Sequence, residues 1–377
     1  MTEPRANTPL AELLAAQIRA SGPIPFAEYM RECLYHRLHG YYAKAEAQRF
    51  ADFYTNVDVH PIFGRLLARQ IEEMWDRLGR PLKFQLIEAG AGLGRLAAHI
   101  LDFARRALPE FYQAIEYLAM ERSEARRQQM RLVLGSHAAA GHAKAAAEMP
   151  REIAAGCVLS NELLDALAVH RVVMDGGALR EMCVGWEDGR LVEVRAPLST
   201  CAISEYFAAQ GVELREGQQA EAGLEACEWI EEIGRRLQRG FVLTIDYGRE
   251  APELYNERHM RGTLLAYRQH CASEDFYASP GEQDLTAHVN FTALEMWGKR
   301  TGLERLGLVS QAQFLMALGR ANGFADLYDE EQSETEKIRA RLKLKTLIFP
   351  EGMGETFRVL IQGKDVGSPE LQGLVPL

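Results

Sequence analysis

No C-x-x-C pair occurs in these 377 residues, and the six cysteines, at 33, 157, 183, 201, 227 and 271, lie far apart. That spacing excludes a zinc knuckle and a small disulfide scaffold, and it fits a reducing compartment. No uncharged apolar run approaches the roughly 20 residues that cross a bilayer, so no membrane span is expected. The opening stretch MTEPRANTPLAELL carries acidic residues and prolines but no basic patch ahead of a long apolar run, so it does not read as a secretory signal. The expectation is a soluble cytoplasmic protein. Positive charge is in deficit: 43 Lys and Arg face 53 Asp and Glu, a net charge of -10, which opposes attraction to a phosphate backbone and argues against a nucleic-acid partner. Neither G-x-S-x-G nor G-x-x-x-x-G-K-[ST] is present, so serine-hydrolase and P-loop chemistry have no support. Repeats and low-complexity tracts are also absent.

What is there is a chain 47% hydrophobic, enough to bury a large core in one enlarged domain or two ordinary ones. Leu10, Leu13, Leu14 and Ile18, then Phe26, Met30 and Leu34, recur at helical spacing, as do Phe63, Leu67, Ile71, Met74 and Leu78 before Gly79 and Pro81 end the run. Residues 1–79 therefore read as an N-terminal helical region. From Leu82 the pattern becomes strand, turn, helix, with Leu82–Ala89 followed by a glycine turn and a helix marked by Leu96, Ile100 and Phe103. The alternation returns at 117–120, ending at Glu121, at 157–160, ending at Asn161-Glu162 before another helical turn, and at 241–245, ending at Asp246-Tyr247-Gly248. Strands that alternate with helices and end in polar residues predict a Rossmann-like α/β fold, a mostly parallel sheet with helices on both faces and its site along the carboxyl edge. Residues 80–170 form the first half of that core and 221–377 the second. Between them, 171–220 reads as an inserted β-meander, because apolar triplets are separated by the turn signals Asp175-Gly176-Gly177 and Glu187-Asp188-Gly189. A second insertion, 249–290, has no clear period. Thr356 to Gln362 alternates as a final strand, and 331–345 reads as a charged helix with a solvated face.

The turn Glu88-Ala89-Gly90-Ala91-Gly92-Leu93-Gly94 lets backbone approach a nucleoside-type ligand, while the following helix offers unpaired N–H groups to its polar end. A dinucleotide fingerprint needs G-x-G-x-x-G, and its last position here is Arg95, which argues against NAD or FAD. The spacing instead fits the donor loop of class I methyltransferases, with S-adenosylmethionine as cofactor held by Glu88, Gly90, Gly92 and Gly94. Three glycines that merely allow tight packing are the plainer alternative. Glu121, at the end of the next strand, is placed to accept both ribose hydroxyls; a capping carboxylate for the helix expected at 123–134 is its alternative.

Seven blocks then resemble, in order, those of the MidA/DUF185 family: ADFYTNVDVHPIFGRLL, LIEAGAGLGRLAAHIL, LSNELLDALAVHRV, VLTIDYG, GTLLAYRQH, DLTAHVNFTAL and FPEGMGETFRVL. The resemblance runs from about Gly22 to Leu360. It implies a class I methyltransferase fold using S-adenosylmethionine and, for a mitochondrial member, symmetric dimethylation of an arginine on a subunit of respiratory complex I. Carried onto this chain, the donor loop falls on Glu88, Gly90, Gly92 and Gly94 and the acidic strand end on Glu121. Three positions depart from the family pattern, so the donor loop is expected to carry over while the substrate-side geometry differs: Ala91 stands where the family commonly has proline, Thr55-Asn56-Val57 where it has Thr-Ser-Pro, and Ala168 replaces the proline of D-A-L-P.

The block Asn161-Glu162-Leu163-Leu164-Asp165 follows the fourth strand, from which class I methyltransferases reach the acceptor. Asn161 is counted with the donor-binding residues. A guanidinium stays charged and is held best by carboxylates, so Glu162 and Asp165 are the candidate catalytic pair for an arginine acceptor. The alternative is that Asn161 caps a following helix and the acids favour its dipole. His36 and His39, three apart, lack an evident third metal ligand, and His170 and His288 are candidates for polar contacts near the site. The reading is a methyltransferase acting on a protein side chain, arginine first, of a respiratory-complex type of partner, with a homodimer compatible with it. A non-catalytic assembly factor and a small-molecule methyltransferase are the rivals.

Overall fold

The computed structural model describes residues 8–43, 56–268, 271–329, 332–350 and 352–377. Thr55 and Glu331, both used in reading the sequence, lie outside them. Contacts divide the chain into two compact units, one drawn from Met1–Phe53, Leu164–Trp229 and Gly248–Leu294, the other from Tyr54–Leu163, Ile230–Tyr247 and Glu295–Leu377.

The second unit holds the sheet. Its strands are β1 (Phe84–Ala89), β2 (Ile115–Met120), β3 (Ala143–Ala146), β4 (Ile153–Asn161), β5 (Leu237–Arg249), β6 (Glu304–Ser310) and β7 (Phe357–Lys364). They lie in the order β6-β7-β5-β4-β1-β2-β3. Pairings from β5 to β3 are parallel, whereas β7 runs antiparallel to both β5 and β6. The mostly parallel α/β sheet expected from the alternation is present, and its topology is that of the class I fold. The central strands are covered on both faces, so β4 reads Gly-Cys-Val-Leu-Ser as one buried run rather than an alternation. The same burial overrides the alternation expected for β7, which is buried from Val359 to Gly363 between its two neighbours.

Helices α1 (Ile62–Arg77) and α2 (Arg95–Ala107) pack in this unit. Phe63, Leu67, Ile71, Met74, Leu96 and Ile100 are buried together with Leu86, Leu243 and Ile361 of the strands, which is what their 3.6-residue spacing serves. The last helix of the 1–79 region therefore belongs with the sheet rather than with the helices before it. Helix α3 (Glu124–Val133) starts where Ser123 caps it, and α4 (Gln311–Arg320) starts after Ser310 in the same way. Helix α5 (Glu334–Ile348) begins with a capping box between Ser333 and Glu336.

The other unit joins the N-terminal helices to both insertions. Helix Pro9–Ser21 is capped by Thr8 and has proline at its first position, where a missing N–H costs nothing. Leu13, counted in its apolar stripe, is 48% exposed; Leu10, Leu14 and Ile18 carry the buried face. The meander forms as His170–Asp175, Ala178–Glu187 and Arg190–Ala196, with Ile24–Pro25 and Gln219–Ala222 completing an antiparallel sheet. A three-stranded sheet of Leu265–Arg268, Cys271–Ser273 and Asp284–Thr286 gives the 249–290 stretch an order that its sequence does not advertise. Phe26, Met30, Leu34, Val184 and Leu285 share one core. The buried guanidinium of Arg171 lies over the rings of Phe26 and Phe276, 5.1 and 4.5 Å from their centroids. Among the described residues no helix is long and apolar enough to cross a membrane.

Candidate functional site

Three consecutive glycine positions of the β1–α2 turn take positive φ: Gly90 at 74°, Gly92 at 55° and Gly94 at 78°. They do so for different reasons. A Cβ on Gly90 would lie 2.9 Å from Leu163 Cδ1 and one on Gly94 2.7 Å from Met130 Cγ, so these two glycines serve packing. A Cβ on Gly92 meets nothing within 4 Å, so this glycine borders open space. The plain-packing alternative thus accounts for two of the three. The turn is tied by the Ala91 N–H to Met120 O and the Gly94 N–H to Ala91 O, both 2.8 Å. Arg95, which broke the dinucleotide fingerprint, opens α2 and forms an ion pair with Asp58.

Glu88, 4% exposed at the end of β1, accepts a 2.8 Å hydrogen bond from the Tyr117 hydroxyl. Burial pushes its pKa up to about 7, and the Tyr117 bond only partly opposes that rise. Glu121 lies just past the end of β2. Its Oε1 accepts from the Ser123 N–H at 2.8 Å, and its Oε2 is 3.5 Å from an Arg126 guanidinium nitrogen. Ser123, not Glu121, caps α3.

The helix expected after Asn161 is not formed: residues 162–169 are turns and bends. This removes the helix-cap alternative for Asn161, Glu162 and Asp165. Glu162 instead adopts left-handed backbone, φ 52°, a conformation that costs a residue with a Cβ on the order of 1–3 kcal/mol. Several bonds hold it there. Its N–H donates to Ile245 O at 3.0 Å, and its Oε1 accepts from the Asn56 N–H and from Asn161 Nδ2, both at 3.0 Å. The next N–H, of Leu163, donates to Asp246 Oδ2 at 3.1 Å. Asn56 is fully buried, and its Oδ1 accepts from Gln311 Nε2 at 2.9 Å. Asn161 Oδ1 is buried with no hydrogen-bond partner among the described residues. Burial is the main cause that lifts the Glu162 pKa to about 8; the bonds from Asn56 and Asn161 lower it, and the charges of Asp246 and Asp58 raise it.

The structure therefore gathers Glu88, the glycine turn, Glu121, Asn161 and Glu162 into one unit at the carboxyl ends of β1, β2 and β4. Asp165 falls in the other unit, where it is buried and its carbonyl accepts from the Ala287 N–H at 3.0 Å. Sequence reasoning noted Asn56 only as a departure from the family pattern and missed Asp58 and Gln311. It passed over Asp246, whose signal was available as a polar residue ending a buried strand. The histidines have local roles. His36 Nδ1 accepts from the N–H groups of Leu38 and His39, and His170 Nδ1 lies 2.7 Å from buried Glu181. His288 is held neutral by burial, its pKa lowered to about 4.

A family model described as S-adenosyl-L-methionine-dependent methyltransferase matches residues 66–309. The mitochondrial protein arginine methyltransferase NDUFAF7 homolog of Drosophila melanogaster is 28% identical, covering 93% of this chain and 84% of its own. Mitochondrial protein arginine methyltransferase NDUFAF7 of Bos taurus is 28% identical over 95% and 85%. A crystal structure from Burkholderia thailandensis, described as a methyl transferase bound to S-adenosyl-homocysteine, superposes with a TM-score of 0.86 at 30% identity, covering 98% of this chain and 97% of that one. The mitochondrial labels of the two animal relatives overturn the cytoplasmic expectation. The residues present fit the methyl donor: the open space at Gly92 admits a ligand against the loop, and the orphaned Asn161 Oδ1 offers a buried acceptor.

Proposed function

The chain belongs to the S-adenosyl-L-methionine-dependent methyltransferase family, and from that we propose that it methylates a cationic protein side chain, arginine before others, with Glu162 receiving the acceptor. The observation that carries this reading is the left-handed backbone of Glu162. Strain at a strand end persists only where the surroundings over-determine it, and such positions concentrate at functional sites. The arginine assignment draws on the names of the curated relatives, and a respiratory-complex type of partner follows from the family resemblance.

The backbone of the turn would hold the donor at Gly92, with Gly90 and Gly94 packed so as to keep the turn in place, Glu121 would hold its ribose hydroxyls, and Asn161 a donor group of its amino-acid end. When bound, the donor supplies an electrophilic methyl carbon on a sulfonium, so its activation is already complete. The chain's own work is then alignment and exclusion of water, which can supply much of the acceleration. Glu162 pairs with the guanidinium and orients it. Because burial lifts its pKa, Glu162 favours the protonated carboxyl until a cation arrives, and the cation favours the carboxylate. Asp165, buried in the other unit, is tested separately as Asp165→Asn.

The test pairs calorimetry of donor binding with methyl incorporation from labelled donor into an arginine- and glycine-containing peptide. Glu162→Gln is expected to lower turnover by about two decades, the effect of a lost desolvated ion pair, with donor affinity unchanged. Loss of donor binding would make Glu162 a cofactor ligand, and full turnover would remove it from the site.

A further inference from the structure

Glu162 does not hold its conformation alone. We propose that Asp246 is a positioning residue for Glu162: its carboxylate ties the end of β5 to the turn after β4 and so aims the Glu162 side chain at the methyl acceptor. This rests on the reading of Glu162 as the acceptor carboxylate.

The argument starts from register. β4 and β5 pair in parallel up to Asn161 opposite Ile245, and the Glu162 N–H still reaches Ile245 O at 3.0 Å. One residue later the ladder is replaced by a side chain. Asp246 Oδ2 accepts from the Leu163 N–H at 3.1 Å, while its Oδ1 accepts from the Tyr247 N–H at 2.9 Å. A single carboxylate thus bridges backbone donors of two adjacent strand ends. Asp246 is fully buried, which suits a brace better than a ligand. Glu162, by contrast, keeps part of its surface accessible although its carboxyl is desolvated.

The bonds from Asn56 and Asn161 determine which oxygen of Glu162 is presented. Oε1 is occupied by the Asn56 N–H and Asn161 Nδ2, and among the described residues no hydrogen bond falls on Oε2. With the backbone locked on both sides of φ 52° and Oε1 tied down, Oε2 is the oxygen presented to an acceptor. Such preorganisation lowers the ordering cost of binding a planar guanidinium. Asp246 also acts through charge, since together with Asp58 it raises the Glu162 pKa, and these are the titratable groups that bear on it.

Asp246→Asn keeps the shape but turns an amide toward a backbone donor. Three readouts apply: donor affinity by calorimetry, turnover with the arginine- and glycine-containing peptide, and the carboxyl titration of Glu162 by carbon-13 NMR, assigned by its loss in Glu162→Gln. Donor affinity is expected to stay within about twofold and turnover to fall about 10- to 100-fold. The Glu162 titration is expected to move down by on the order of one pH unit as a like charge is removed. The titration needs no acceptor, so it reads the coupling even if the peptide is a poor substrate. Wild-type turnover with an unmoved titration overturns the proposal, as does loss of donor binding in the folded variant. If Glu162→Gln itself leaves turnover intact, the acceptor reading has failed rather than the clamp. Should Asp246→Asn fail to fold, Asp246→Ser removes the same charge and keeps only a shorter hydroxyl acceptor at the end of β5. It should lower turnover in the same way and spare donor affinity, and unchanged turnover there overturns the proposal.

Discussion

A single buried carboxylate can set how stability responds to pH. Glu88 sits in the apolar end of β1 with one hydrogen bond from Tyr117, and its pKa is lifted from 4.5 to about 7. Between those values the folded chain keeps a proton that the unfolded chain has released, so stability falls as pH rises through that window and the penalty is complete above it. Glu88→Gln removes the charge but keeps an acceptor for Tyr117. It is expected to stabilise the protein by ~1–3 kcal/mol at pH 8 and to change little at pH 5, measured by denaturant unfolding at both. An equal shift at both pH values would show that Glu88 is not protonated in the fold. At this scale the sequence was only half legible. Glu88 and Glu162 stood out as acids at strand ends, but the left-handed φ of Glu162 is held by the Asn56 N–H on its carboxylate and by Asp246 on the Leu163 N–H, contacts that span 106 and 83 residues and that no local pattern records.

The strand–turn–helix unit from β1 to α3 was the most legible element, because its period changes at the glycines and its polar residues sit at strand ends. The stretch after Asn161 was the least. Its apolar spacing predicted a helix, yet Glu162 leaves the helical region at once and the Leu163 N–H goes to Asp246 instead of to a helical carbonyl. Within the legible unit, capping and donor binding can be separated by three substitutions measured together. Gly92→Val puts a branched side chain into the open space beside the loop, and donor binding should fall by more than about two decades in a chain that still folds. Glu121→Ala removes a charged acceptor and should weaken the donor by one to two decades. Ser123→Ala removes only the cap of α3, so it should cost about 1 kcal/mol of stability and leave the donor untouched. If Glu121→Ala matches Ser123→Ala in calorimetry, the carboxylate is a helix-end residue and nothing more.

Across the whole molecule, composition said little about boundaries. The N-terminal helices, the meander and the 249–290 stretch were read as three separate pieces, because each has its own period. They form one unit through contacts such as Phe26 with Phe276, whose ring centroids are 5.5 Å apart and which no local pattern could pair. The sheet order was legible only as a class, since strands 304–310 and 357–364 close its far edge by antiparallel pairing that alternation does not reveal. The central claim is methyl transfer from S-adenosylmethionine to a protein cation. Its most direct test is to incubate the purified chain and an extract from cells lacking its gene with isotope-labelled donor, then to locate the label by mass spectrometry. The prediction is labelled methyl on arginine of one or a few proteins, absent when Glu162→Gln replaces the wild type. Label confined to small molecules, or to no product at all with donor bound, would contradict it.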